Sequence, residues 1–120
     1  MAKCFLKLDG SNKTTVNSMN RFMTRLLLNG YPSADHYERL HAEMKKRGFS
    51  RVIESSEPNF YWLPNGTYYR VSSSTREQVL ADAKAAAAIV SREYEVVVTD
   101  APNCTWCGLK LATAADAMVA

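Results

Sequence analysis

Apolar residues recur along this chain with two periods, and each change of period marks a new element. Over residues 21–28 (RFMTRLLL) the period is two. Phe22, Leu26 and Leu28 share one face and Met23 and Leu27 the other, which predicts a strand near the middle of a sheet. Residues 3–9 (KCFLKLD) place Cys4, Leu6 and Leu8 on one face and predict an earlier strand. The polar run 10–20 between them, rich in Ser, Thr and Asn, reads as a linker.

Past Gly30-Tyr31-Pro32 the period lengthens. Tyr37, Leu40, His41 and Met44 fall at helical spacing, with Ser33 or Asp35 as cap, Lys45, Lys46 and Arg47 in the last turn and Gly48 as the stop. Residues 49–54 (FSRVIE) return to strand alternation, with Phe49, Arg51 and Ile53 on one face and Val52 on the other. Residues 60–71 (FYWLPNGTYYRV) alternate on either side of Pro64-Asn65-Gly66, as one bent strand or a small hairpin. Ser74 with Glu77 fits a capping box, followed by a buried stripe of Val79, Leu80, Ala83, Ala87 and Val90. The alanines at 85–88 let that helix lie close on a sheet. Residues 95–99 (EVVVT) predict a last strand with a continuous apolar centre. Residues 101–120 are Ala-rich with little pattern and read as a tail, with a short helix near 112–119.

The succession strand, helix, strand, strand, helix, strand predicts an α+β, ferredoxin-like βαββαβ domain. Two helices would cover one face of an antiparallel sheet. The expected divisions are an extension at 1–20, the domain at 21–100 and a tail at 101–120.

A chain of 120 residues, 47% hydrophobic and 22% charged, suits one domain that buries a core without metal or disulfide. Its longest apolar run, Ala85 to Val90, is far short of a membrane span, and the N-terminal residues lack a signal peptide's apolar region. A cytoplasmic location without a membrane partner is expected. The net charge of +3 is divided unevenly: residues 1–50 carry nine Lys/Arg against four Asp/Glu, and residues 51–120 six against eight. Lys45-Lys46-Arg47 reads first as cations complementing a helix end and second as a phosphate contact. Three cysteines, Cys4, Cys104 and Cys107, argue against a disulfide framework, and cytoplasmic thiols stay reduced.

Five of the twelve aromatics lie at 60–69: Phe60, Tyr61, Trp62, Tyr68 and Tyr69. Strand alternation splits them between faces, so they cannot all line the core beneath the helices. The remaining rings would meet a second copy, stack on nucleobases, or lie under the extension or tail. TYYRVSSS lacks the glycine and the F-V-x-F pattern of the RNA-recognition module, which excludes it. Cys104-Thr-Trp-Cys107 finds no second C-x-x-C to complete a zinc site, and reads as two unpaired thiols beside a packed Trp106. His41 sits on the helix's apolar face as a structural histidine. His36, in the first turn, is the candidate general acid or base. Asp9 and Asp100 end candidate strands, but the central strand ends in Asn29-Gly30, which supplies no anion for a metal. No cofactor motif is present, so neither metal nor cofactor is expected.

Residues 22–100 also resemble the GhoS type of antitoxin, small ferredoxin-like proteins of type V toxin–antitoxin systems. The resemblance rests on RFMTRLLLNG, Tyr31-Pro32-Ser33, RGFSRVI, LPNGTYY, the S-T-R-E-Q-V-L helix start and EVVVTDA, about two-thirds of the chain. It implies an endoribonuclease that cuts the messenger RNA of a small membrane toxin. It also implies likeness to the dimeric CRISPR-adaptation nuclease, whose strand-end aspartate is replaced here by Asn29. The first expectation is therefore an RNA-directed regulator. Arg21, Arg25, Arg51 and Arg70 would contact phosphates, Tyr61 or Tyr69 would stack, and His36 would serve a metal-free attack by the ribose 2′-hydroxyl. The alternative is a non-catalytic, homodimeric protein-interaction module that uses the aromatic sheet face. Arginines gathered on one exposed surface favour RNA; arginines scattered or paired with acids favour the module.

Overall fold

The computed structural model describes residues 2–5, 19–55, 57 and 59–120. Its elements are β1 (Ala2–Phe5), β2 (Asn20–Leu28), α1 (Ala34–Lys46), β3 (Val52–Glu54), β4 (Phe60–Trp62), β5 (Thr67–Ser72), α2 (Arg76–Val90), β6 (Tyr94–Asp100), β7 (Asn103–Trp106), β8 (Leu111–Ala112) and α3 (Ala114–Val119). They form a mixed α+β fold with antiparallel sheets and three helices. No helix among the described residues is long and apolar enough to cross a membrane.

The longest strand, β2, is the centre of a three-stranded sheet ordered β5-β2-β6. Phe22 stands opposite Arg70 on one side and Asp100 on the other, which fixes the register of all three strands. Phe22, Leu26 and Leu28 point into the main core with Leu40 and Met44 of α1, Tyr68 of β5, and Val79, Ala83, Ala86 and Ala87 of α2. The predicted alternation of β2 is thus observed, and the alanines bring α2 directly onto the sheet. Ser33 caps α1 as expected, and Gly48 turns the chain out of it at φ +87°. In α2 the box forms one residue later than predicted. Thr75 is the cap and Gln78 its partner, while Ser74 accepts a hydrogen bond from Arg70.

The structure departs from the sequence pattern in three places. First, residues 49–54 do not run as one strand. Ser50 bridges to Tyr69, but its hydroxyl bonds to the Val52 backbone and bends the chain at Arg51. Phe49 consequently enters the main core and Ile53 a second one. Second, β4 and β5 do not form a hairpin with each other. The turn at Pro64-Asn65-Gly66 carries the chain from a sheet ordered β3-β4-β8 to the sheet of β2. Third, residues 103–112 supply strands where only a tail with a short helix was expected. β7 pairs with β1, Ala2 opposite Trp106, and β8 pairs with β4, Phe60 opposite Ala112.

The second core lies on the sheet face away from α1 and α2. Ile53 and Leu63 are its buried centre, with Met23, Tyr61, Tyr69, Cys104, Trp106 and Leu109 packed around them. The C-terminal segment therefore covers part of the face that would otherwise be open. Beyond that cover, the same face is bare. Val97 of β6 is 61% exposed and Leu27 of β2 47%. The apolar centre of β6 is thus buried on one side only, with Val96 and Val98 packed against the main core.

Candidate functional site

The predicted site residues do not converge. His36 closes the capping box of α1: its Nδ1 accepts from the Ser33 backbone N–H at 3.0 Å and lies 2.8 Å from the Ser33 hydroxyl. The contact fixes the helix start and turns that ring nitrogen inward to the turn. Arg21 is 5% exposed and its Nη1 donates to the Pro102 carbonyl at 2.5 Å. Arg70 points to the helical side of the sheet, opposite Phe22. Its Nη1 donates to Asp82 at 2.7 Å, its Nη2 to Ser74 Oγ at 3.3 Å, and its guanidinium lies over the Phe49 ring. Arg25 alone projects into solvent from the bare face of β2, between Thr67 and Val97. The arginines are therefore dispersed over both faces, and two of them are held by partners within the chain.

The two predicted stacking rings belong to the second core. Tyr61 packs on Trp106 at 5.5 Å between centroids, with an interplanar angle of 60°. Tyr69 is half-buried beside them, and burial pushes its phenol above the ordinary value. Of the three fates open to these rings, Tyr61 and Tyr69 meet cover by the C-terminal segment. The cysteines differ from expectation as well. Cys104 is disulfide-bonded, whereas Cys107 is free and exposed, so the C-x-x-C is not a pair of equivalent thiols. The backbone register sets Cys104 opposite Cys4.

A different group of side chains does come together. His41, half-buried on α1, places Nδ1 2.6 Å from the Tyr68 hydroxyl. Its ring also lies 6.4 Å from that of Tyr37, whose hydroxyl accepts from the Leu28 backbone N–H. Burial lowers the His41 pKa, and the Arg51 cation adds to the effect, with Glu38 opposing it. Burial raises the Tyr68 pKa strongly, so the phenol keeps its proton. The self-consistent arrangement at neutral pH is Tyr68 O–H donating to Nδ1, which leaves Nε2–H as the remaining donor of a neutral imidazole. Arg51, whose charge is felt at both His41 and Tyr68, holds its guanidinium 5.3 Å above the half-buried Trp62 ring. A cation stacked on an indole thus lies within electrostatic reach of the His41–Tyr68 pair.

Sequence reasoning placed His41 and Arg51 separately and missed Tyr68 and Trp62 as their companions. The His41–Tyr68 contact joins residues 27 positions apart, and no local periodicity carries it. Among the described residues, no group of three His, Cys, Asp or Glu side chains is placed to hold a metal ion. A cleft of about 480 Å³ opens at the start of α2, and Arg76 and Asp100 on its wall pair at 3.4 Å. Compared with protein-family models, curated proteins and solved structures, the chain matches none.

Proposed function

We propose that this protein is an RNA-directed regulator of the kind that GhoS-type antitoxins exemplify, built on a ferredoxin-like core. Support for the core is the order β6-β2-β5, extended by the Ser50–Tyr69 bridge to the segment that leads into β3. With α1 and α2 on one face, this order is compatible with a split βαβ unit whose fourth strand is reduced to that bridge. The observation that carries the function is the Arg51 guanidinium over Trp62, whose charge reaches His41. Arginine and an imidazole N–H donate to phosphate oxygens, and an indole offers a face to a base. His36, Arg21 and Arg70 are assigned to capping and packing in this reading, and Arg25 remains a second, separate phosphate contact.

Cleavage would use the other tautomer of the same group. With Nδ1–H donating to Tyr68, Nε2 takes the proton of a ribose 2′-hydroxyl. The 2′-oxygen then attacks the adjacent phosphorus and the P–O5′ bond breaks. A 2′,3′-cyclic phosphate and a 5′-hydroxyl result, the 5′-oxygen taking its proton from water. Arg51 would hold the charge that develops on the phosphorane.

The test is binding of labelled single-stranded RNA, with and without EDTA, by the wild type, Arg51→Ala, His41→Gln and His36→Ala. The reading expects salt-dependent binding that Arg51→Ala weakens by about 10-fold. It expects any cleavage to survive EDTA and His36→Ala but not His41→Gln. Absence of RNA binding at low salt would overturn it.

A second reading, a non-catalytic protein-interaction module, is the one that the dispersal of the arginines over both faces of the sheet favours. Arg21 and Arg70 are engaged within the chain while Leu27 and Val97 are bare.

A further inference from the structure

β6 is the one long strand among the described residues whose outer edge meets no other strand. β3 and β4 have three residues each, β8 has two, and β1 and β7 have four. The far edge of β5 meets Ser50. β6 runs for seven residues, YEVVVTD, at the end of the order β5-β2-β6. Soluble proteins blunt such an edge with lysine, proline, a bulge or a cover. β6 contains neither lysine nor proline, its two charged residues, Glu95 and Asp100, lie towards its ends, and its register with β2 is unbroken over Tyr94–Asp100.

The hydrogen-bond phase shows which groups the edge presents. Asn29 N–H donates to the Glu93 carbonyl, and Ala101 N–H to the Arg21 carbonyl. Antiparallel pairing alternates, so odd-numbered residues of β6 direct their backbone groups at β2. Tyr94, Val96, Val98 and Asp100 direct theirs outward. Beside this edge, Val97 and Leu27 are exposed on the bare sheet face.

We infer that β6 pairs antiparallel with β6 of a second copy of this chain, about a two-fold axis at Val97. In that register Val96 meets the partner's Val98 and Tyr94 meets the partner's Asp100, each through outward backbone groups. Glu95 meets the partner's Thr99, and Val97 meets the partner's Val97 across a close, non-hydrogen-bonded pair. The side chains are self-complementary. Both acids face a hydroxyl rather than another acid, and the two exposed valines cover each other. The interface is isologous, as a two-fold pair requires, and joins the two three-stranded sheets into one. The inference deepens the protein-interaction reading, and its readouts are independent of RNA binding.

Sedimentation of the full chain at about 100 μM tests it, with Val97→Lys and Val97→Glu as variants. Position 97 is solvent-exposed, so neither change burdens the core. The wild type is expected to be a dimer and each variant a monomer, because like charges would meet at the axis. An equimolar mixture of the two variants is expected to recover a dimer. A monomeric wild type overturns the inference, as does a dimer that Val97→Lys leaves intact. Amide exchange gives a readout that needs no variant. The Val96 and Val98 amides are expected to exchange faster as the wild type is diluted to monomer, and rates independent of concentration overturn the pairing. If RNA binding fails while the dimer forms, the protein-interaction reading stands alone. If the dimer is absent and RNA binds, this inference falls without touching the RNA site.

Discussion

His41 Nδ1 stands 2.6 Å from the Tyr68 hydroxyl, and this contact joins the middle of α1 to β5 at the edge of the main core. It makes stability depend on pH. Burial and the Arg51 cation lower the His41 pKa from the ordinary 6.5, against the opposing pull of Glu38. The unfolded chain therefore binds a proton at a higher pH than the folded one. Stability is full above pH 6.5 and is lost as the pH falls through the lowered folded value. The melting temperature should fall between pH 7.5 and pH 5.5, and His41→Gln should flatten that part of the profile. A profile equally steep in the variant would place the titration elsewhere. Tyr68→Phe removes the hydroxyl and should cost about 1 kcal/mol at neutral pH.

Gly66 is required by its backbone and by its neighbour. Its φ is +83°, and a Cβ there would sit 2.7 Å from the Leu26 carbonyl oxygen. The same turn is tied to β2 by Leu26 N–H donating to the Gly66 carbonyl at 2.7 Å. Gly66→Ala combines a left-handed backbone penalty of roughly 1–2 kcal/mol with a backbone clash. A loss of more than about 2 kcal/mol is expected in urea unfolding. A variant of wild-type stability would show that the turn can move off β2.

Arg70 is a structural cation. Its side chain is 12% exposed and rests between Asp82, Ser74 and the ring of Phe49. Asp82 is 45% exposed, so solvent screens its half of the pair. Asp82→Ala leaves the mostly buried guanidinium with Ser74 as its remaining hydrogen-bond partner in this cluster, and should cost about 1 kcal/mol. Arg25→Ala, on the bare face, should cost less than about 0.5 kcal/mol. The two substitutions separate packing from surface charge. RNA affinity should respond to Arg25→Ala and Arg51→Ala and remain unchanged in Asp82→Ala.

What was legible in the sequence is what neighbouring residues decide. The inward face of β2, the stripe of α1 and the alanine contact of α2 follow from alternation, helical spacing and small side chains. The box of α2 slipped by one residue because both Ser74 and Thr75 can cap, Ser74 is engaged by Arg70, and Gln78 serves Thr75 as Glu77 would have served Ser74. The second core was not legible for a different reason. β3 and β4 are three residues long, too short to show a period. β7 and β8 owe their strand geometry to partners far away in the chain, β1 and β4. The site divided the same way. Alternation fixes Arg70 on the face of Phe22, beneath the helices, once the β2–β5 register is known. Nothing in a single sequence supplies that register, so Arg70 looked as available as Arg25.

The rings of FYWLPNGTYYRV make the last prediction. Trp106 reaches back from β7 to cover Tyr61, and its indole Nε1 is buried with no hydrogen-bond partner among the described residues. The polar atom costs free energy, so the apolar body of the ring is what holds the segment down. Trp106→Ala should destabilise the protein by roughly 2–3 kcal/mol, below the loss at a fully buried tryptophan because this one is half-buried. Trp106→Phe keeps an apolar ring and removes the orphaned N–H, and should recover most of that loss. The near-ultraviolet signal of Tyr61 should weaken in the alanine variant and persist in the phenylalanine one. If uncovering Tyr61 and Tyr69 leaves RNA affinity unchanged while Arg51→Ala lowers it, these tyrosines are wall rather than platform. A gain in RNA affinity on removing Trp106 would mean the opposite, that the C-terminal segment masks a stacking surface.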